Sequence, residues 1–468
     1  MVTPVRLHNT LGRRLSELAP LEPGHVRLYT CGPTVYNVVH IGNLRTFVFE
    51  DILRRHLLAK GYRLTQIMNL TDVDDKTIGG AREAGLSLPE FTAKYEEAFF
   101  RDIGRLNVQP AEKYPKATDH VPEMVTLIET LRERGHTYES DGSVYFRIAT
   151  FPDYGKLSGI DLGQMRRGER VAEDEYEKED VKDFALWKGA KPGEPSWPSP
   201  FGQGRPGWHI ECSAMSMKYL GRHFDIHTGA VDNIFPHHEN EIAQSEAATG
   251  EPFVEIWLHG EHLVVDGEKM SKSKGNFYTL DDVLAQRDDP AAVRYLFLSV
   301  PYRRKLNFTW EALAGAAAGV ARIRSAFGRI EEVAASGAEK PGAFDAKERG
   351  RKFLEDFTAA MDDDLNTSEA LGALFPYLRE VNVASDDGSL DARGARAALE
   401  AIRSADSVLG VLPAAPEVLP AEVESRIEAR NAARKRRDFA EADRIRAELA
   451  SRGIVLEDGP SGTRWKKA

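Results

Sequence analysis

The stretch VRLYTCGPTVYNVVHIGNLRTFVFEDILRRHLLAKGYRLTQIM, Val26 to Met68, decides the fold. Val26 to Thr30 reads as a short buried strand, closed by the turn residues Cys31-Gly32-Pro33. Leu44, Phe47, Val48, Ile52 and Leu57 then recur near 3.6-residue spacing, which predicts a helix from about Leu44. Gly61 is its stop signal, and Tyr62 to Met68 is a second strand. A strand, a helix and a returning strand make a βαβ unit, so the expected fold is α/β with a doubly wound, Rossmann-type parallel sheet.

Outward from that unit the pattern changes. Between about Tyr114 and Arg205 lie a helix (Val121 to Gly135), a Tyr145-Phe146 strand, a charged stretch from Arg166 to Lys182 and a Pro- and Gly-rich run from Lys191. This reads as an insertion between two halves of the sheet. Strand-like segments resume at His223 to Thr228 and Val254 to Leu258. The expected division is a first domain over 1–320, with its insertion at about 114–205 and a loop-bearing region at 260–320. Linkers at Ala335 to Ala343 and at Pro413, Pro416 and Pro420 set off a helical bundle (345–412) and a small terminal unit (421–468). Phe353 to Leu374 reads as an amphipathic helix with an acidic N-terminal turn at Asp362-Asp363-Asp364.

The chain has 468 residues, 42% hydrophobic and 29% charged, which excludes a fibrous or disordered protein. No apolar run approaches the ~18 residues of a membrane span; the small-residue stretch Ala312 to Ala321 ends at Arg322. The start of the chain lacks an apolar secretory segment, so a soluble, cytoplasmic protein without a membrane partner is expected. Net charge is −11, so a polyanion would need a local basic patch. One such patch lies at the end: Ala421 to Ala468 holds twelve Lys/Arg against nine Asp/Glu. There Arg434-Lys435-Arg436-Arg437 stands beside Phe439, a union of cations and a stacking ring suited to unpaired RNA bases and equally compatible with a solvated helix face. Only two cysteines occur, Cys31 and Cys212, which rules out a disulfide framework.

Three groups of residues carry chemistry. His40-Ile41-Gly42-Asn43 sits where the loop meets the first helix, a natural phosphate site with backbone N–H groups at the positive helix end. Gly42 would let a flat adenine approach the backbone. Lys269-Met270-Ser271-Lys272-Ser273 places two ammonium groups on a loop after a strand, able to hold a triphosphate as pyrophosphate leaves. Cys31, Cys212, and His237 and Glu241 at i, i+4 with Pro236 at a helix start, form a reasonable zinc set. His and Glu at that spacing also occur on ordinary helices, and a buried cysteine is usually core.

The pairing of His40–Asn43 with Lys269–Ser273 in a βαβ chain resembles class I aminoacyl-tRNA synthetases. Cys31-Gly32-Pro33-Thr34-Val35-Tyr36, Asn69-Leu70-Thr71-Asp72-Val73-Asp74-Asp75-Lys76, Gly207 to Met215, His237 to Glu241 and Asp266 to Ser273 narrow the likeness to the cysteinyl-tRNA synthetase family, from Leu7 to Trp465. That resemblance implies ATP-dependent ligation of L-cysteine to tRNA(Cys) through a cysteinyl-adenylate, by a monomer. It implies one Zn²⁺ on Cys31, Cys212, His237 and Glu241, selecting the substrate thiol, and ATP entering with Mg²⁺. His40, Asn43, Lys269 and Lys272 would be catalytic, and Gly42, Asp232 and Lys272 would bind ATP. Thr71 and Trp208 would contact cysteine, and Arg434, Arg437, Phe439, Asp443 and Arg446 would contact tRNA from an anticodon-binding end unit. Asn43 stands where a second histidine is common, Ala230 where glycine is, and Phe439 where tryptophan is. The rivals are a cysteine:glucosaminyl-inositol ligase, which lacks an anticodon-binding end, and a non-catalytic zinc-containing RNA-binding protein.

Overall fold

The computed structural model describes residues 4–160, 183–271, 275–337, 344–412, 421–436, 438–451, 454–459 and 462–467. The charged stretch Arg166 to Lys182, Lys272 and Ser273, Arg437, most of the Ser-Gly-Ala-Pro linker and the three linker prolines lie outside them. The chain forms two compact units, Met1–Leu412 and Pro413–Ala468.

Four parallel strands form the centre of the first unit: β1 (His25–Thr30), β2 (Arg63–Met68), β3 (Phe224–Ala230) and β4 (Val254–Gly260). Their order is β4-β3-β1-β2. The chain therefore reverses its winding direction between β1 and β3, and the carboxyl ends of those strands border the crevice where such sheets bind ligands. Strand β1 is buried on both faces, which is why its apolar run is nearly continuous.

Helix α1 (Ile41–Ala59) joins β1 to β2, and every apolar residue that predicted it is buried. It starts three residues earlier than the periodicity indicates. His40 is its N-cap: its Nδ1 accepts the Asn43 N–H at 3.1 Å, while Asn43 Oδ1 accepts the His40 N–H at 3.3 Å. This reciprocal pair closes the first turn as a capping box, with imidazole in the usual place of a hydroxyl.

Helices α2 (Asp75–Ala84), α3 (Leu88–Arg105) and α4 (Val121–Glu133) follow β2. An antiparallel sheet of Thr137–Ser140, Ser143–Phe146, Phe184–Gly189 and Gly204–Pro206 then precedes α5 (Trp208–Leu220). After β3 the chain makes a wide turn, Ile234–His238, before α6 (Glu239–Thr249). Pro236 therefore does not start the regular helix; Phe235 is extended (φ −140°, ψ 132°) and α6 begins at Glu239.

Helices Trp310–Ala335, Ala346–Asp362, Thr367–Asp386 and Ala392–Leu409 form a bundle packed on this layer. The acidic run at Asp362 is a corner between two helices, not a helix N-terminus. Asp364 and Leu365 take left-handed φ values of 61° and 53°, and the next helix is capped by Asn366. The corner is held by cations and donors of the sheet layer. Asp362 meets His56 and Lys60 at 2.9 and 2.7 Å, Arg6 meets Asp363 at 2.7 Å, and Tyr302 donates to Asp364 at 2.7 Å. Among the described residues no helix is long and apolar enough to cross a membrane.

Candidate active site and metal centre

Cys31 leaves the end of β1, Cys212 comes from the first half of α5, and His237 and Glu241 from the turn and helix after β3. One donor atom from each lies within 4.8 Å of all the others, and all four residues are buried. His237 Nε2 is 3.1 Å from Glu241 Oε1, yet among the described residues that oxygen has no hydrogen-bond partner. A ring nitrogen, a carboxylate oxygen and two thiol sulfurs brought this close could hold a common cation. Burial supports the same conclusion. It pushes the Cys31 thiol well up and the Glu241 carboxyl to about 8, and holds His237 down at about 3. Without a cation this pocket would hold neutral groups; a soft divalent ion would stabilise thiolate, imidazole and carboxylate together. The donor set fits zinc.

Around the set stand four histidines that the sequence motifs did not assign. His227 Nε2 contacts Glu241 Oε2 at 3.0 Å, and His209 Nδ1 contacts His237 Nδ1 at 2.9 Å. His238 Nε2 lies 3.2 Å from Cys31 Sγ, with His259 Nε2 2.8 Å from its Nδ1 and Thr10 Oγ1 2.7 Å beyond. His227 and His238 also form a second donor group with Cys31 and Glu241. His209 and His238 are adjacent in sequence to motif residues. His227 and His259 sit in apolar strands, where a lone histidine reads as core.

A cleft of about 650 Å³ opens above this floor, lined among others by Cys31, Gly32, His40, Asn43, Trp208 and Asp232. The His40 cap has a chemical consequence. Nδ1 accepts a backbone N–H, and burial keeps the ring below its ordinary pKa, so the proton of the neutral imidazole sits on Nε2. Asn43 spends its oxygen on the cap, which leaves its NH₂ to donate. The helix end is less open than expected: Ile41 N–H bonds Tyr278 O and Asn43 N–H bonds His40. Only the Gly42 N–H of the first turn lacks a partner among the described residues. A Cβ on Gly42 would meet Met270 Cε at 2.7 Å and the His40 ring at 3.0 Å, so glycine lets the lysine loop lie against the helix.

Lys269 ends a short hairpin, Leu263–Val265 with Glu268–Lys269, turned by Asp266 and Gly267 at positive φ. Ser271 N–H donates to Asn276 Oδ1, and Asn276 Nδ2 donates to Lys269 O. Asp232, just past β3, pairs with His262 at 3.1 Å, which raises that imidazole's pKa. Trp208 is 36% exposed and stacks on His237 with centroids 4.3 Å apart. Thr71 is 1% exposed and does not line the cleft; its hydroxyl donates to Glu211 Oε2 at 3.1 Å.

The second unit has helices Ala421–Lys435 and Phe439–Ser451 and a hairpin of Ile454–Gly459 with Gly462–Lys467, around Val423, Ile445, Leu449, Ile454 and Leu456. Phe439 is 60% exposed, and Arg434 and Asp443 are exposed. Arg446 donates to Leu456 O at 3.0 Å, so part of its guanidinium is committed within the unit.

A parallel sheet with its cleft at the winding reversal, bordered by a capped helix end and a lysine-bearing hairpin lying against it, is the arrangement of a class I tRNA synthetase. The family model described as the tRNA synthetases class I (C) catalytic domain matches residues 17–318. A DALR domain matches 356–413, and a cysteinyl-tRNA ligase anticodon binding domain matches 417–465. The chain is 50% identical to a cysteine–tRNA ligase of Solibacter usitatus, over 99% of both chains. It is 47% identical to that of Brachyspira hyodysenteriae, over 98% of both. It belongs to the cysteine–tRNA ligase family, as the motif resemblance indicates. Among solved structures, Mycobacterium tuberculosis methionyl-tRNA synthetase with methionyl-adenylate superposes with TM-score 0.62 at 17% identity, over 82% of this chain and 92% of that one, a likeness of fold.

Proposed function

We propose that this chain activates L-cysteine with ATP and transfers it to tRNA(Cys), acting as a monomer in the cytoplasm. The observation that carries the substrate choice is the buried Cys31/Cys212/His237/Glu241 set at the floor of the cleft. Serine differs from cysteine by one atom, which pocket shape discriminates poorly. Zinc, when bound, supplies a thiophilic Lewis acid that prefers the substrate thiolate to a hydroxyl. The protein's part is to hold the ligands still: His227 fixes one Glu241 oxygen, and His209 and the Trp208 ring orient His237.

In the first step a cysteine carboxylate oxygen bonds the α-phosphorus of ATP, which enters with Mg²⁺, and the α–β phosphoanhydride breaks. His40 Nε2–H and the Asn43 amide donate to the phosphates, with the Gly42 N–H and the positive end of α1 behind them. Lys269 and Lys272 stabilise the charge that grows on departing pyrophosphate. Asp232 receives the ribose hydroxyls, steadied by His262. In the second step a hydroxyl of the terminal tRNA ribose bonds the carbonyl carbon and AMP leaves. No side chain becomes covalently attached; positioning and electrostatics do the chemistry.

The work divides along the chain. Residues 1–320 catalyse, 345–412 form the bundle, and 421–468 read the anticodon through Arg434, Arg437, Phe439, Asp443 and Arg446. The match of an anticodon binding domain to 417–465 favours this reading over a small-molecule cysteine ligase.

The test is Cys212→Ser. Metal analysis should show about one zinc per wild-type chain, and the variant should lose both that metal and cysteine-dependent ATP–pyrophosphate exchange. Full exchange activity in a metal-free variant defeats the assignment.

A further inference from the structure

A buried hydrogen-bond chain runs from the residue after Cys31 to the residue before Cys212. Gly32 N–H donates to Asn69 Oδ1 at 3.0 Å, Asn69 Nδ2 donates to Thr71 Oγ1 at 3.2 Å, and Thr71 Oγ1 donates to Glu211 Oε2 at 3.1 Å. A backbone N–H can only donate, so the amide turns its oxygen to Gly32 and its NH₂ to Thr71, and the Thr71 hydroxyl is left to bond the Glu211 carboxyl group. Asn69, Thr71 and Glu211 are all buried. The backbone repeats the clamp: Thr71 N–H bonds Pro33 O at 3.1 Å and Val35 N–H bonds Thr71 O at 3.0 Å. Gly32 has no room for a side chain, since a Cβ there would fall 1.8 Å from Asn69 O. The turn that carries Cys31 is therefore locked to the Asn69–Thr71 segment, and that segment to the helix that carries Cys212.

We infer that Asn69, Thr71 and Glu211 are positioning residues that set the distance between the two thiolate ligands, and that Thr71 acts on the metal set and not on the substrate. Its hydroxyl takes the Asn69 amide and bonds Glu211, and the residue is 1% exposed. The inference rests on the zinc reading above and adds to it the residues that hold the site open to the right width.

Thr71→Val keeps the shape and removes the hydroxyl; Thr71→Ser keeps the hydroxyl. With full-length protein, zinc release to a chelator should accelerate about tenfold or more in Thr71→Val and stay near wild type in Thr71→Ser. The thiolate-to-metal absorption of the cobalt-substituted protein should shift in Thr71→Val only, with the KM for ATP unchanged. Glu211→Gln retains an acceptor for the hydroxyl and replaces the rest of the carboxyl group that ends the chain with an amide. It replaces Thr71→Val should that variant fail to fold, and it too should release zinc faster. Wild-type zinc release and an unshifted cobalt spectrum, with a raised KM for cysteine, would make Thr71 a substrate contact and overturn the inference alone. A wild-type chain that binds no zinc overturns both readings together.

Discussion

Glu50 shows how much a single side chain in this fold depends on its surroundings. It lies on α1, fully buried, accepting the Thr228 hydroxyl at 2.8 Å on one oxygen, with no partner for the other among the described residues. Burial pushes its carboxyl up to about 8, and the Thr228 hydrogen bond opposes that only in part. The sign of the consequence follows directly. Between the ordinary carboxyl pKa and 8 the folded chain holds a proton that the unfolded chain has released, so stability falls as pH rises through that window. Glu50→Gln keeps the Thr228 contact and cannot ionise. Its stability relative to wild type should therefore grow between about pH 5 and about pH 8.5, measured by urea unfolding at both. An equal difference at the two pH values would mean that Glu50 titrates normally. Nothing in the sequence marks Glu50: it follows Phe49 on a helix whose apolar stripe reads correctly, and its burial depends on Thr228, far along the chain. Cys31, Cys212, His237 and Glu241 are legible because each sits in a distinctive motif. His227 and His259, which support them, are not, because a strand histidine carries no local signal.

Helix α1 links the phosphate wall to the bundle. Its N-cap and first turn present His40 and Asn43, and its later turns and C-cap carry Asp51, Arg55, His56 and Lys60 toward other elements. Arg294 meets Asp51 at 2.5 Å and donates to the carbonyls of Leu409, Leu106 and Asn107. Arg55 pairs with the same carboxylate at 2.7 Å and donates to Ser407 O. These contacts knit α1, the end of α3 and the end of helix Ala392–Leu409 into one layer. Arg294→Ala would leave a buried carboxylate short of one cation and three carbonyls short of a donor, a destabilisation of about 3–5 kcal/mol. Urea unfolding checks it; a change below about 1 kcal/mol would show that water or Arg55 takes over. The elements that periodicity misplaces share a cause with this network. It sets the start of α1 late because an imidazole cap is not a standard start signal. The acidic corner at Asp362–Asp364 reads as a helix beginning because its partners, Arg6, His56, Lys60 and Tyr302, are remote in sequence. Periodicity reports which face of a helix is apolar, and it says nothing of where buried charges find their partners.

At the scale of the whole molecule, charge separates the two units: the chain carries −11 overall, while its last 48 residues, Ala421 to Ala468, are net basic. That reversal is legible from composition, although the linker prolines and Arg437 lie outside the described residues. Every proposed zinc and phosphate residue precedes Leu412, and Met1–Leu412 is compact by itself. A chain truncated after Leu412 should therefore retain cysteine-dependent ATP–pyrophosphate exchange and lose most tRNA charging. Within the end unit, Phe439 exposes 60% of its surface at a helix start, beside the basic run that ends the preceding helix. The ring is not among the residues of the unit's core, to which Ile445 and Leu449 contribute from the same helix. Its exposed face is open to a flat partner. Phe439→Ala should cost about 1–3 kcal/mol in tRNA(Cys) binding if an unpaired base stacks on it. Replacing Arg434 and Arg437 with Gln should weaken binding and flatten its salt dependence, the slope falling by about 0.7–0.9 for each phosphate no longer neutralised. The two effects separate by substrate: the ring's effect should shrink with tRNAs of altered anticodon, and that of the arginines should persist across all of them. Binding titrations at several salt concentrations, with cognate and anticodon-altered tRNA, measure both. Undiminished charging by the truncated chain would place tRNA selection in the first unit and leave the basic end without this role.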